Sequence, residues 1–185
     1  MPAQRLEDLA AIEAALWQEL GRATRDKAHG WRIGVLASAG DDGADARSVV
    51  LREFDAATRE LSIYTDARSP KVQQLGADPR ATLVLWSAAL GWQLRLKLSV
   101  RVETCGLTVS SRWALLKMTP AAHDYLSPLP PGTALPSALQ PPERGTRDHF
   151  AILIARVEAV DWLELHAQGQ RRACFGAGPG GWLAP

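Results

Sequence analysis

The stretch from Trp92 to Glu103 alternates more strictly than any other part of this chain, and that alternation constrains the fold first. Leu94, Leu96, Leu98, Val100 and Val102 fall in one row, and Gln93, Arg95, Lys97, Ser99 and Arg101 in the other. Successive side chains of a strand point to opposite faces, so one row enters a core and the other stays wet or functional. Such a strand needs partners, and the neighbouring sequence supplies them. Trp31 to Ser38 reads as a strand, Gly40-Asp41-Asp42-Gly43 as a hairpin turn, and Asp45 to Glu53 as the returning strand. After a turn over Asp55 to Arg59 come a short strand, Leu61 to Thr65, and a short helix, Pro70 to Ala77. Asp78-Pro79 stops that helix before a strand from Ala81 to Ala88.

Beyond the alternating strand, Ser111 to Met118 is expected to be helical, and residues 128–145 form a proline-rich loop too full of breakers for a regular element. A loop that long in a compact domain is expected to pack against something, such as a second subunit, or to lack order. A long strand follows, Phe150 to Leu165, then a turn at Gln168-Gly169 and a last strand, Arg171 to Phe175. At the start, Leu6, Leu9, Ile12, Leu16 and Leu20 recur at helical spacing within residues 1–22, in a helix ending near Gly21. Hairpin-joined strands with few inserted helices predict a mainly β fold, an antiparallel barrel with peripheral helices rather than a parallel sheet.

A length of 185 residues predicts one domain, 1–185, with a single core. With 21 Lys and Arg against 20 Asp and Glu, the net charge of +1 argues against nucleic acid as a partner. Cys105 and Cys174 lack metal or redox spacing, so free thiols in a reducing cytosol are expected, with no metal. Glu7, Asp8 and Glu13 interrupt the apolar start that a signal peptide requires, and no run approaches a membrane span. The expectation is a cytoplasmic protein without a membrane partner.

The chemistry concentrates between Arg47 and Gln93. Ser69, Pro70 and Lys71 join a favoured N-cap, a proline suited to the first helical position and a first-turn cation. A lysine there opposes the helix dipole unless an anion sits between them, which makes the triplet a candidate phosphate site. Ser-Pro also opens many helices that bind nothing, and the neighbours favour the anion: Arg47 and Arg52 on the preceding strand, and Tyr64 with Thr65 at the end of the next. Ideal alternation puts Arg47 and Arg52 on opposite faces, so both reach one ligand only where a bulge or twist redirects one.

These residues in this order resemble the pyridoxamine 5'-phosphate oxidase-like FMN-binding split barrels. RSVVLR resembles that family's arginine-started strand, IYTD its Tyr-Thr pair, RSPKV its phosphate-binding helix start and Gln93 its flavin-contacting glutamine. WLEL from Trp162, then RRACF and the terminal WLAP, are similar to its closing strands and tail. The resemblance implies an antiparallel split β-barrel with FMN as cofactor, bound by Arg47, Val50, Leu51, Arg52, Tyr64, Thr65, Ser69, Lys71 and Gln93. It also implies a homodimer with FMN at the interface and a small-molecule substrate, with Trp113, Tyr125 and Arg172 as substrate or second-subunit contacts.

The departures are specific. Pro70 stands where the vitamin B6 oxidases carry a second basic residue, Cys174 where the family has an arginine, Leu163 where it has an aromatic and Arg52 where those oxidases have a lysine. Their Tyr-x-x-x-Arg-x-x-x-Ser cradle for the substrate phosphate is absent from Ser111 to Leu126. The chain therefore resembles a side branch of the family, an FMN-dependent oxidoreductase for another small molecule. The alternatives are a non-catalytic flavin carrier and a haem-binding protein. Trp86, Trp92 and Trp162 are expected to pack in a core or interface, and Trp113 to face a ligand. His29, His123, His149 and His166 are too scattered for a metal set, and His123 beside Tyr125 is the one singled out.

Overall fold

The structure, a computed structural model, describes residues 5–135, 148–176 and 180–185. Among these residues, eight strands make one antiparallel sheet: β1 (Ile33–Gly40), β2 (Gly43–Asp55), β3 (Glu60–Asp66), β4 (Arg80–Ser87), β5 (Trp92–Glu103), β6 (Phe150–Glu164), β7 (Arg171–Gly176) and β8 (Gly181–Leu183). Their spatial order is β3-β2-β1-β4-β5-β6-β7-β8, and a further pairing of β3 with β6 closes the first six into a barrel. Strand β6 makes the split. Its first half, Phe150 to Arg156, pairs with β3, and its second half, from Ala159, pairs with β7, while β5 runs alongside both. A register shift at Lys97/Leu98 marks the changeover.

The strand alternation of the sequence is reproduced in burial. Leu94, Leu96, Leu98 and Val100 enter the core with Leu51, Ile63, Leu83, Leu85, Val160 and Trp162. Helix α1 (Leu9–Ala23) starts at Asp8, whose side chain accepts from the Ala10 amide, and runs two residues past Gly21 to Ala23. It seals the core with Ile12, Leu16 and Leu20, each fully buried, and truncating any of them to alanine costs about 2–5 kcal/mol. Gly91 closes the β4–β5 hairpin at φ +66, where a Cβ would stand 2.7 Å from the Leu165 carbonyl oxygen.

A second apolar cluster lies on the outer side of the sheet. Val109 and Leu116 of α3 (Leu107–Leu116), Tyr125, Phe150, Ile152 and Ile154 form it, with Tyr64 and Trp113 against them. The α3 helix starts four residues before the expected Ser111 and stops two before Met118. The Ser110 and Ser111 hydroxyls donate back to the Gly106 and Thr108 carbonyls, so two serines are accommodated inside it. Pro120 cuts it off and opens a 3-10 turn, Pro120–Tyr125. The proline-rich loop is irregular over residues 128–135, and the rest of it lies outside the described residues.

One expectation about tryptophan is corrected. Trp113 packs, stacked on Phe150 at 5.6 Å between centroids, because α3 turns it onto the sheet. Trp86 is 44% exposed on the outward row of β4, beside Ile33 at 58% and Val35 at 44% on β1. That leaves an apolar outward face uncovered within one chain. Trp182 and Leu183 of the terminal WLAP segment lie in β8, paired with β7, and Ala184-Pro185 follow as a tail. Buried Glu164 ties the two chain ends together, accepting from Arg5 Nε at 2.8 Å, from Arg171 at 2.8 and 2.9 Å, and from the Trp92 indole at 3.4 Å. Among the described residues, no helix is long and apolar enough to cross a membrane.

Candidate functional site

The sequence-predicted residues fall into three places. At the barrel mouth, the end of β3 and the start of α2 (Pro70–Ala77) bring Thr65, Ser69 and Lys71 together. Lys71 Nζ donates to Thr65 Oγ1 at 3.1 Å, and Thr65 Oγ1 lies 3.2 Å from Ser69 Oγ. Ser69 caps α2 in extended geometry without using its hydroxyl for the cap, which leaves that buried hydroxyl to Thr65 Oγ1. Arg47 arrives from β2 on the same inward row as Val49 and Leu51. Its guanidinium donates to Ser38 Oγ at 2.7 Å, to Gln74 Oε1 at 2.9 Å and to the Leu36 carbonyl at 3.3 Å, and it is ion-paired with Asp45.

The electrostatics of this mouth favour an anion. Burial, and then the positive charge of Arg47, hold the Lys71 ammonium below the usual lysine pKa. Asp45 answers Arg47, but among the described residues Lys71 has a hydroxyl and no ion-pair partner. A dianionic phosphate would accept from Lys71, Arg47 and both hydroxyls and relieve the repulsion between the two cations. Donor chemistry and burial at the mouth therefore fit the phosphate of a nucleotide cofactor.

Arg52 and Tyr64 lie elsewhere. The β2–β3 register shifts between Leu51 and Glu53, and Arg52 is the bulged residue on the outer side of the sheet. Its guanidinium sits 5.5 Å from the centre of the Tyr64 ring, and its Nε is buried without a hydrogen-bond partner. The Tyr64 hydroxyl donates to Glu53 Oε1 at 2.7 Å, and Arg112 donates to both oxygens of Glu53, at 3.2 and 2.9 Å. Burial alone would raise the Glu53 carboxyl, but the donors Arg112 and Tyr64 outweigh it and hold the pKa low. Burial, and then the hydrogen bond to Glu53, push the Tyr64 phenol well above its ordinary value. Burial likewise raises that of Tyr125. Leu51 puts its side chain in the core and its amide on the Arg32 carbonyl at 3.0 Å, while Val50 is half-buried on the opposite row.

Gln93 occupies a third place. It stands on the outward row of β5, opposite Trp86 on β4 and Leu163 on β6, and Leu163 in turn faces Arg172 on β7. Gln93, Arg95, Asp161, Leu163, Gln170, Arg172 and Pro185 line a small cavity of about 140 Å³. Arg172 grips Asp161 through two bonds, at 2.9 and 2.6 Å, and Arg95 reaches the same carboxylate at 3.3 Å. Cys174 is one position further along this face and contacts the Gly181 carbonyl oxygen at 3.7 Å. The mouth residues lie on inward rows and Gln93 on an outward one, so a ligand joining them within one chain would have to pass around the sheet.

Sequence reasoning missed Ser38, Asp45 and Gln74, which hold Arg47, and Asp66 with Arg68, which shape the turn before Ser69. Asp-Ala-Arg-Ser at Asp66 to Ser69 carried a local signal, because Asp two residues before a turn amide forms Asx turns. The Asp66 carboxylate accepts from the Arg68 amide at 2.7 Å. His29 bonds Glu19 at 2.8 Å and the Trp31 amide at 3.1 Å, and His123 is exposed. Among the described residues, no group of three or more His, Cys, Asp or Glu side chains is placed to hold a metal ion.

Fold and mouth together define a split barrel whose open end gathers two cations and two hydroxyls. Residues 10–104, slightly more than half of the chain, match the family described as pyridoxamine 5'-phosphate oxidase, FMN-binding domain. The chain belongs to this family, and FMN is its cofactor. The pyridoxine/pyridoxamine 5'-phosphate oxidase of Caulobacter vibrioides is 30% identical over 132 residues, which are 70% of this chain and 58% of that protein. The chain thus spans less than two thirds of that relative's length. The oxidase of Thermosynechococcus vestitus is 42% identical over 64 residues, 34% of this chain and 29% of that protein.

Among solved structures, a pyridoxamine 5'-phosphate oxidase-related FMN-binding protein from Nostoc punctiforme superposes with a TM-score of 0.74 at 23% identity, covering 97% of this chain and all (100%) of that one. PhzG from Burkholderia lata, solved with tetrahydrophenazine-1-carboxylic acid, gives 0.73 at 15% identity, with 100% of both chains covered. A haem-binding protein from Mycobacterium smegmatis gives 0.50 at 17%, covering 83% of this chain and 57% of that one. At these identities the likeness is one of fold.

Proposed function

We propose that this protein is an FMN-dependent oxidoreductase for a small molecule other than pyridoxamine 5'-phosphate, one domain over residues 1–185, working as a homodimer in a reducing, cytoplasmic setting. The observation that carries the reading is the convergence of Arg47, Thr65, Ser69 and Lys71 at the barrel mouth, with Gln93 on the opposite side of the sheet. When bound, the flavin supplies the electron transfer, and the protein supplies anchoring and electrostatics. Arg47 and Lys71 would neutralise the phosphate, and the Thr65 and Ser69 hydroxyls would orient it. Gln93 would donate to the flavin held by a second copy.

The uncovered outward face supports that arrangement. Trp86 pairs with Gln93, and Ile33 and Val35 extend the apolar face across β1, so a second copy covering this surface brings Gln93 and the Arg172 cavity toward the partner's flavin. Two free cysteines fit the reducing setting. Substrate choice differs from that of the vitamin B6 oxidases because Arg112 is committed to Glu53 and α3 brings no phosphate cradle. The test is the visible spectrum of the purified protein. A flavin spectrum that bleaches on chemical reduction and returns in air, with FMN released on denaturation, is expected. A Soret band, or a colourless protein that ignores added FMN, would refute the reading.

A further inference from the structure

Arg68 lies between the residues of the mouth without facing it, and its side chain is the most heavily bonded in that turn. Its Nε and Nη2 hold the two oxygens of Asp66 at 3.0 and 2.7 Å. Its Nη2 also reaches the Ser127 and Leu129 carbonyls at 2.8 and 3.3 Å, and its Nη1 reaches that of Pro128 at 3.1 Å. Three consecutive carbonyls therefore converge on one guanidinium, a geometry a planar fork serves and a point charge does not. The same turn is laced from its other side, since the Ala67 amide donates to the His149 carbonyl at 2.7 Å and the His149 amide to the Tyr125 carbonyl at 2.9 Å.

The consequence falls on the hydroxyls. Asp66 closes the turn through the Arg68 amide, and the Ser69 amide returns to the Asp66 carbonyl at 3.1 Å, which sets Ser69 Oγ 3.2 Å from Thr65 Oγ1. Without the Arg68 side chain, the buried Asp66 carboxylate loses its cation and is free to recruit other donors, and the backbone leaving Tyr125 loses its attachment. We infer that Arg68 is a positioning residue for the FMN phosphate. It clamps the Asp66–Ser69 turn to the Ser127–Leu129 backbone so that Thr65, Ser69 and Lys71 meet the phosphate in one fixed geometry. This inference rests on the phosphate-binding reading of the mouth.

The test titrates apoprotein with FMN and with riboflavin, which has the same ring and no phosphate, for the wild type, Arg68→Ala and Arg68→Lys. The wild type should prefer FMN strongly. Arg68→Ala should weaken FMN by about tenfold, the lower end of what loss of a residue supporting a ligand-binding group costs at metal sites, and leave riboflavin unchanged. Arg68→Lys, which keeps the Asp66 pair but cannot span three carbonyls, should fall between, and it carries the test alone if the alanine variant does not fold. An FMN-selective wild type with both variants unchanged, or with FMN and riboflavin weakened equally, overturns the role of Arg68. A wild type that binds riboflavin as tightly as FMN overturns the phosphate site and this inference with it.

Discussion

Lys71→Ala separates the cost of holding a cation at the mouth from its use. In the free protein Lys71 is half-buried, donates to one hydroxyl and feels the charge of Arg47, and its pKa is lowered accordingly. Removing it should therefore change the stability of the apoprotein by no more than about 1 kcal/mol. In the FMN complex it removes a charge-assisted bond worth about 1.5–3 kcal/mol, or roughly 10- to 150-fold in Kd. Flavin fluorescence titration measures the second quantity and thermal unfolding of the apoprotein the first. The stabilisation conferred by a fixed excess of FMN should shrink by the same free energy.

The sign with pH follows from linkage. A lysine with a depressed folded pKa binds fewer protons folded than unfolded in the window between that value and 10.5, so its burden on the apoprotein is present below the window and relieved as pH rises through it. FMN reverses this, because a phosphate raises the Lys71 pKa. Affinity should therefore decline as pH climbs through the depressed value, earlier than an ordinary lysine would allow, and Lys71→Arg should abolish the decline. Unchanged FMN affinity in Lys71→Ala, or an apoprotein destabilised by more than about 2 kcal/mol, would refute the reasoning.

Glu164→Gln should cost about 3 kcal/mol, because Arg5 and Arg171 would lose a buried counter-charge. Arg171 and Arg5 outweigh burial and hold the Glu164 pKa below 4.5, so its contribution is complete above that value and lost as pH falls through the folded pKa. Urea unfolding of both forms should accordingly converge in acid. Trp86→Lys should place a charge on the apolar outward face, giving a monomer by sedimentation with loosened FMN; a dimer with unchanged affinity would move the interface elsewhere. Pyridoxamine 5'-phosphate should be oxidised far more slowly than about 1 per second, the low end of ordinary enzyme turnover, and oxygen-dependent formation of pyridoxal 5'-phosphate at that rate would mean that Arg172 or the loop of a second copy completes a phosphate cradle.

Much of the barrel was legible because its strands carry strict alternation and their turns carry Gly, Asp and Pro. The Trp92–Glu103 strand and the Pro70–Ala77 helix were read to the residue. The mouth was partly legible for a local reason, since Thr65, Ser69 and Lys71 lie within seven positions of one another across one strand end and one helix start. Two of Arg47's partners were not, because Ser38 meets it only through the β1–β2 register and Gln74 only through the docking of α2, while Asp45 sits two residues away on the same row of β2. Alternation posed the question of Arg52 without answering it. The bulge that sets it over Tyr64 arises in the pairing of β2 with β3, which no single strand records. Trp113 was misjudged because α3 begins just after Gly106, whose φ of +93 leaves little trace in helical periodicity.

The most direct measurement uses a heterodimer of one Lys71→Ala chain and one Gln93→Ala chain, purified through two different tags and titrated with FMN. If each flavin takes its phosphate contacts from one chain and Gln93 from the other, one of the two sites carries both substitutions and the other carries neither. The expected result is one FMN bound per heterodimer with wild-type affinity, while both homodimeric variants bind weakly. Two weakened sites in the heterodimer, one matching each homodimeric variant, would mean that Lys71 and Gln93 serve the same flavin from the same chain and would contradict the account.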